Sequence, residues 1–550
     1  MNKPILIVQL LRLGDIVMSA PAISDLKRKY PDRPIHLLID ASFHHVKSII
    51  SDVDRVILFR RKLYQKMMGE AQFAMFGASD LLEKDLREVL EQEYFHVYNF
   101  SHNKISADII AKVRSEEKFG IIGEEDNYVV SGSSFRKLNQ SSEALNQTDL
   151  HYVDYLRLAV GGERVPLDKC LRFESTERVD SYIDNAEHGY VVVQHGTSDI
   201  KKTIPKDSLA KSIKLFRSLN KNVRVAFVCA PSENEEMQSF VNEFLSDLGG
   251  IDVLDYNLND AAYLLSRAKV LLTVDTSIKH IASMVGCPIL DIGLGGAKNA
   301  FTGAYSSKAL SVTPKVDCYP CAHSSQCPHS ERLCATEVEG EFIGLLLFKF
   351  LDQPSDIGVL AEEYSDKVEL RRSFVTRFGY YSCVLDADNS KVDLEESLQK
   401  WMNWLSHYDS KDLEARTGSL AIEFFNLLVS MYGRQHLDII KDQINDIMAK
   451  YITLLSDLQA NLGGTDYSKL YFDKKRIERQ IRFLQAFTKE LSWSSDESFE
   501  GNSLDHQNIQ VIRSLQNTTQ SVKSRLEFGL KVLRNLQTSI LESKYEIIRK

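Results

Sequence analysis

The sequence predicts an α/β protein of two doubly wound lobes followed by an α-helical appendix. Three features predict it: two separate series of short apolar runs alternating with helical periodicity, a polar or glycine-bearing turn after most runs, and a change of composition after about residue 352. Strand and helix patterns that alternate in this way argue for open parallel sheets with helices on both faces. Length agrees, because 550 residues exceed the about 250–300 at which a single hydrophobic core stops growing.

The first series opens with the apolar run PILIVQLL at 4–11, which suits a parallel strand buried on both faces. Gly14 and Asp15 follow, and then Ile16, Val17, Ala20 and Ile23 recur at helical spacing. Strand-like runs return at 35–39, 56–59 and 94–100, giving a first Rossmann-like lobe at 1–175. Runs at 190–194, 223–229, 270–274 and 288–292 give a second at 176–352. Ligands in open α/β sheets bind outside the carboxyl ends of the strands, so the turns there are where chemistry is expected, and two facing lobes would share one cleft. From 353 to 550 strand-like runs become scarce and long helices are expected, broken at 409–411, Gly463-Gly464 and 494–508. Leu515, Val522, Leu526, Leu533, Leu536 and Ile540 form a stripe, interrupted by Gly529, that suits a bundle helix or a short coiled-coil seam. This appendix is a candidate assembly or partner-binding module.

Other classes are disfavoured. The most apolar stretch, 342–348, is interrupted by Lys349 and is shorter than the roughly 20 residues of a membrane-spanning helix. Arg12 and Asp15 follow the first apolar run where a signal peptide would continue, so a cytoplasmic protein is expected. A net charge of -9 offers no footprint for nucleic acid. No G-x-G-x-x-G follows the first strand, which argues against a dinucleotide oxidoreductase, and Asp386-Ala-Asp388 outside both lobes reads as a turn rather than a metal–diphosphate site.

Five groups of residues could carry chemistry. Asp15, behind Gly14, lies where a helix dipole favours a carboxylate; taken alone it is either a helix cap or a base. Gly196 and Thr197 with Lys202 form a polar loop between strand and helix that suits a diphosphate or an ordinary solvated surface. After the next strand, Glu233 and Glu235 offer carboxylates to ribose hydroxyls or simply begin a helix. Asp275, Thr276 and Ser277 open a helix that could cradle phosphate, with His280 one turn on as ligand or neutral core residue, and Gly293, Gly295 and Gly296 let backbone approach the same ligand. Finally, Cys318, Cys321, Cys327 and Cys334 crowd one loop around His323 and His329, which suggests a metal site or reduced thiols.

Taken in order, these segments resemble glycosyltransferase family 9, the heptosyltransferases. The resemblance rests on Gly14-Asp15 with Pro21-Ala22, on 196–205, on 230–235, and on Asp275 to His280 running to Gly286-Cys287-Pro288 and the glycine loop; it covers about residues 1–350. It implies a two-lobed GT-B fold, an ADP-heptose donor and inverting transfer that requires no cofactor. Carried over, Asp15 matches the general base, Lys202 the lysine near the donor phosphates, Glu233 or Glu235 the ribose contact, and Asp275, Thr276 and Ser277 the nucleotide-binding turn. Lys104 and Ser106 resemble an acceptor-side segment. The family's autotransporter-glycosylating branch binds iron through a similar cysteine-rich stretch, which implies a structural iron or zinc at the four cysteines. This chain departs from the pattern at Ser277, where glycine is usual, and at Ile204, where tryptophan is usual.

The chemistry fits these residue types. Negative charge builds on a leaving diphosphate, where helix-start amides and Lys202 would meet it, while Asp15 would take the acceptor's proton. The acceptor implied is lipopolysaccharide core or a protein. The resemblance leaves open a peripheral membrane association and a homo-oligomer formed through the helical region. A non-catalytic descendant serving as a binding or assembly module is the alternative.

Overall fold

The apolar run at 4–11 forms β1 (Ile5–Gln9), every residue of which is buried, and α1 (Leu13–Lys29) starts after three intervening residues. This computed structural model describes residues 2–385 except 70–73, 125–126, 133, 137, 139–149, 162–163, 198, 323–324 and 377–378; beyond them it describes 397, 424–429, 431–432, 438–449, 527, 530–531 and 533–535. Two parallel-dominated sheets organise it. In the first, β1 lies between β2 (Ile35–Asp40) and β4 (Glu93–Asn99), with β3 (Arg55–Phe59) outside β2 and β5 (Arg114–Glu124) then β6 (Asn127–Ser131) outside β4. Only β6 runs antiparallel. Its helices are α1, α2 (Arg61–Gly69), α3 (Ala74–Glu91) and α4 (Lys104–Lys112), and α5 (Tyr152–Val160) packs on α1.

The second sheet repeats the winding. Strands β7 (Tyr190–Gln194), β8 (Arg224–Cys229), β9 (Ile251–Asp255), β10 (Val270–Thr273), β11 (Ile289–Ile292) and β12 (Ala309–Pro314) are parallel, with β7 paired to both β8 and β10. Between them run α6 (Glu177–Asp184), α7 (Lys206–Leu219), α8 (Asn234–Phe244), α9 (Leu258–Arg267), α10 (Ser277–Val285), α11 (Asn299–Thr302), α12 (Leu333–Glu337), α13 (Gly340–Asp352) and α14 (Ile357–Glu363). Strand order reverses once in each sheet, between β1 and β4 and between β7 and β10. Those reversals are the crevices that take ligands in open α/β sheets.

The apolar run at 342–348 lies in α13, where Phe342, Ile343, Leu346 and Leu347 are buried in the second sheet's core. No described helix is long and apolar enough to cross a membrane.

The helical run expected from residue 353 is corrected at its start. After α14 the chain forms a hairpin, β13 (Val368–Thr376) and β14 (Gly379–Val384), which extends the second sheet antiparallel to β12. VELRRSFVT carries Glu369, Arg371, Arg372 and Ser373 in a partly exposed strand, so it lacks the continuous apolar run of a central parallel strand. The chain falls into two compact units, Met1–Lys391 and Val392–Lys550. In the second unit the described segments 424–429 and 438–449 are helical and bury Phe424, Leu428, Ile440 and Ile444. The breaks at 409–411, Gly463-Gly464 and 494–508, Asp386 to Asp388, and the apolar stripe apart from Leu533 lie outside the described residues.

Candidate active site

The turn after β1 is braced from beneath. Gln9 Nε2 donates to Ser19 Oγ at 3.0 Å, to the Tyr152 hydroxyl at 3.2 Å and to the Asp15 carbonyl at 3.4 Å, and Ser19 Oγ donates to that carbonyl at 2.7 Å. The Asp15 side chain accepts the Arg12 N–H through Oδ2 at 3.0 Å, so it does cap the helix. Desolvation against the cleft wall pushes its pKa up to about 6, with the Arg12 N–H opposing and the Asp275 charge adding to the rise.

In the second lobe, Lys202 ends a short turn after β7, and its Nζ donates to Asp275 Oδ2 at 2.5 Å. Asp275 Oδ1 accepts from Lys279 Nζ at 3.0 Å, and Lys279 also meets both Asp291 oxygens at 3.3–3.4 Å. Lys279 and Asp291 are wholly buried. Burial would raise the Asp275 pKa, but Lys279 and Lys202 overcome it and hold the carboxyl well below its usual range. Burial would lower Lys279, and the two aspartates reverse that too. His280 is pushed down to about 3, chiefly by burial and then by Lys279, and is therefore neutral at physiological pH.

The two turns meet. A Cβ on Gly14 would stand 3.1 Å from His280 Cδ2 and 3.7 Å from Ser277 Cα, so the start of α1 rests closely on the start of α10. Thr276 stands at the N-cap position of α10 without a side-chain cap bond, its hydroxyl 3.4 Å from Thr273 Oγ1. Thr197 Oγ1 accepts the Asp199 N–H at 3.3 Å. Glu233, bonded to the Ala230 N–H at 3.1 Å, lies over Gly196, 3.2 Å from where its Cβ would be. Glu235 instead lines an open depression beside Gln238 and Asn242 on α8. Of the two candidates, Glu233 is the one at the loop. Gly295 has φ +59° and backs onto the Lys201 carbonyl, 2.7 Å from its would-be Cβ, while Gly293 faces the Tyr319 hydroxyl and Gly296 the Cys321 carbonyl.

With this geometry in view, residues 137–330 match the family described as glycosyltransferase family 9 (heptosyltransferase). The chain carries a family 9 glycosyltransferase region. It is 21% identical over 319 residues to lipopolysaccharide heptosyltransferase 1 of Escherichia coli strain K12, covering 56% of this chain and 92% of that relative. Among solved structures, an E. coli heptosyltransferase with ADP aligns with TM-score 0.42 and 17% identity over 56% of this chain and 92% of that one. An iron-containing dodecameric glycosyltransferase from enterotoxigenic E. coli aligns with TM-score 0.37 and 13% identity over 64% and 76%. By reaction class this protein is a glycosyltransferase.

The cysteine loop of this glycosyltransferase braces the turn at 200–203 and the glycine loop at 293–296. Cys321 N–H donates to the Gly295 carbonyl at 3.0 Å, Lys201 Nζ to the Ser325 carbonyl at 2.5 Å, and Arg332 to the Ile200 and Thr203 carbonyls at 2.6 and 2.9 Å. Cys334 is buried and Cys318, Cys321 and Cys327 are half-buried. Burial raises the Cys321 pKa, and the three neighbouring thiols add to the rise. Among the described residues, however, no three His, Cys, Asp or Glu side chains converge as a metal ion requires, so the arrangement does not fit one; His323 lies outside those residues.

Lys104 begins α4 and its ammonium lies 5.8 Å from the Tyr128 ring on β6, while Ser106 is tied to the Ser101 and Asn103 carbonyls. Sequence reasoning missed Lys279 and Asp291. The available signal was an aspartate inside the apolar strand at 288–292, which required a buried cation within reach.

Proposed function

We propose that this glycosyltransferase moves a heptose or related sugar, with inversion, from an ADP-sugar on the second lobe to an acceptor hydroxyl at the first, in a GT-B arrangement. The acceptor proposed is a cell-surface molecule, lipopolysaccharide core or a protein, by analogy with the name of the E. coli relative. The observation that carries the reading is the contact of Gly14 with His280 and Ser277, which sets Asp15 against the Lys202–Asp275 pair. Asp15 is the proposed base. A carboxyl with a pKa near 6 is ionised at neutral pH yet basic enough to receive a hydroxyl proton as the new bond forms. Amides opening α10, together with Lys202, would face the leaving diphosphate, and Glu233 would meet the ribose.

The test is ADP release from ADP-heptose with lipopolysaccharide-core and protein acceptors, comparing the native chain with Asp15→Asn. Acceptor-dependent release that falls in the variant by about 10²-fold or more is expected. Equal turnover in both would remove Asp15 as base. Failure of the native chain to bind ADP or ADP-heptose would remove the donor.

A further inference from the structure

Lys298 and Asn299 follow the glycine loop and begin α11. Lys298 Nζ is sealed from solvent with no hydrogen-bond partner among the described residues, and Asn299, 9% exposed, leaves both Oδ1 and Nδ2 unpartnered. Native proteins pair nearly all buried polar groups, and a buried ammonium without a counter-charge is especially costly. Three such atoms on adjacent residues therefore call for a ligand.

Their place in the fold points to which one. Asn299 Oδ1 lies 3.3 Å from where a Gly293 Cβ would be, so the amide turns back over the glycine loop whose Gly295 abuts Lys201. On the other side, the Phe301 ring packs 5.6 Å from Tyr152, the hydroxyl that Gln9 holds beneath the Asp15 turn. His280 Nδ1, at the start of α10, is also buried without a hydrogen-bond partner among the described residues. The lysine picked out by sequence is already engaged: Lys202 and Lys279 balance Asp275 and Asp291, two positive charges against two negative, so that cluster presents no net charge to an incoming anion.

We propose that Lys298 is the unbalanced cation that, beside Lys202, receives an anion in this cleft, with Asn299 bonding the same group, and that the anion is the diphosphate of the nucleotide-sugar donor. This assignment rests on the transfer proposed above. In that reaction the bond from the anomeric carbon to the diphosphate oxygen breaks and its electron pair stays on the oxygen. The acceptor oxygen bonds to the carbon, and its proton goes to the Asp15 carboxylate. Lys298 meets the charge that accumulates on the diphosphate.

The experiment titrates ADP and inorganic pyrophosphate into the full chain, native and Lys298→Met, Lys298→Arg and Asn299→Ala, and measures KM for donor and acceptor. Lys298→Met is expected to weaken both ligands about 10-fold or more, as befits loss of a charged hydrogen bond, and to raise donor KM but not acceptor KM. Lys298→Arg should recover much of the affinity. The unliganded Lys298→Met chain should melt no lower than the native one, since no partner is lost. ADP affinity unchanged by Lys298→Met overturns the proposal, as does an effect confined to acceptor KM, which would give the anion to the acceptor. A melting point several degrees lower would reveal a structural partner and overturn it too. Lys298-dependent pyrophosphate binding with no preference for ADP would instead sink the nucleotide reading and leave Lys298 as an anion site.

Discussion

Asp15 serves as helix cap and as candidate base at once, because the Arg12 N–H occupies Oδ2 and leaves Oδ1 to receive a proton. Its raised pKa fixes the sign of two pH effects. Activity should fall as pH drops through about 6, with an acid limb in kcat/KM that Asp15→Asn abolishes along with most turnover. Because the folded-state pKa lies above the ordinary aspartate value of 3.8, the ionised group disfavours the fold at neutral pH, and that penalty fades as pH falls from about 6 toward 4. Asp15→Asn should therefore melt at or above the native temperature at pH 7, with the difference shrinking at pH 4. Lys279 tests the buried cluster: Lys279→Met leaves Asp275 and Asp291 without their shared cation and should cost about 3–5 kcal/mol in denaturant unfolding. Adding Asp291→Leu should recover part of that loss. Asp15, Lys202 and Asp275 were legible in sequence because each follows a strand at a turn. Lys298 was not, because its distinguishing property is the lack of a partner among the described residues, which only packing reveals.

The turns work as braced elements. The loop at 318–334 holds the Lys201–Lys202 turn through Arg332 and the glycine loop through Cys321, so it would position the proposed donor side through bonds to the main chain. Arg332→Ala should raise donor KM severalfold with little change in kcat, measured under saturating acceptor. Gly295→Ala should be worse, since a left-handed φ and a carbonyl 2.7 Å away both oppose a methyl group; a lower melting temperature and weaker ADP binding are expected. At this scale the central strands were readable from continuous apolar runs. β5, β9 and β13 were not, since RSEEKFGIIGE, IDVLD and VELRRSFVT carry charges on partly exposed faces.

At the scale of the molecule, the expected boundary at 352 and the observed one after Lys391 differ by α14 and one hairpin. Its Tyr380 N–H donates to Asp154 Oδ2 at 2.8 Å, and Val368, Leu370, Tyr380 and Tyr381 are buried. A chain ending at Lys391 should unfold cooperatively and bind ADP as the full chain does, whereas one ending at Asp352 should lose both properties. Calorimetry and ADP titration of the two fragments decide it.

The same hairpin sets a timetable for synthesis. Asp154, wholly buried, takes its partners from Arg164, ten residues on, from Tyr305, 151 residues on, and from Tyr380, 226 residues on. At about 5–20 residues per second, a ribosome needs roughly 10–50 s to deliver the last of them. Only over the last 66 residues of that stretch, from Pro314 to Tyr380 and about 3–13 s long, does a nascent chain have both sets of central parallel strands made while Asp154 still lacks its third partner.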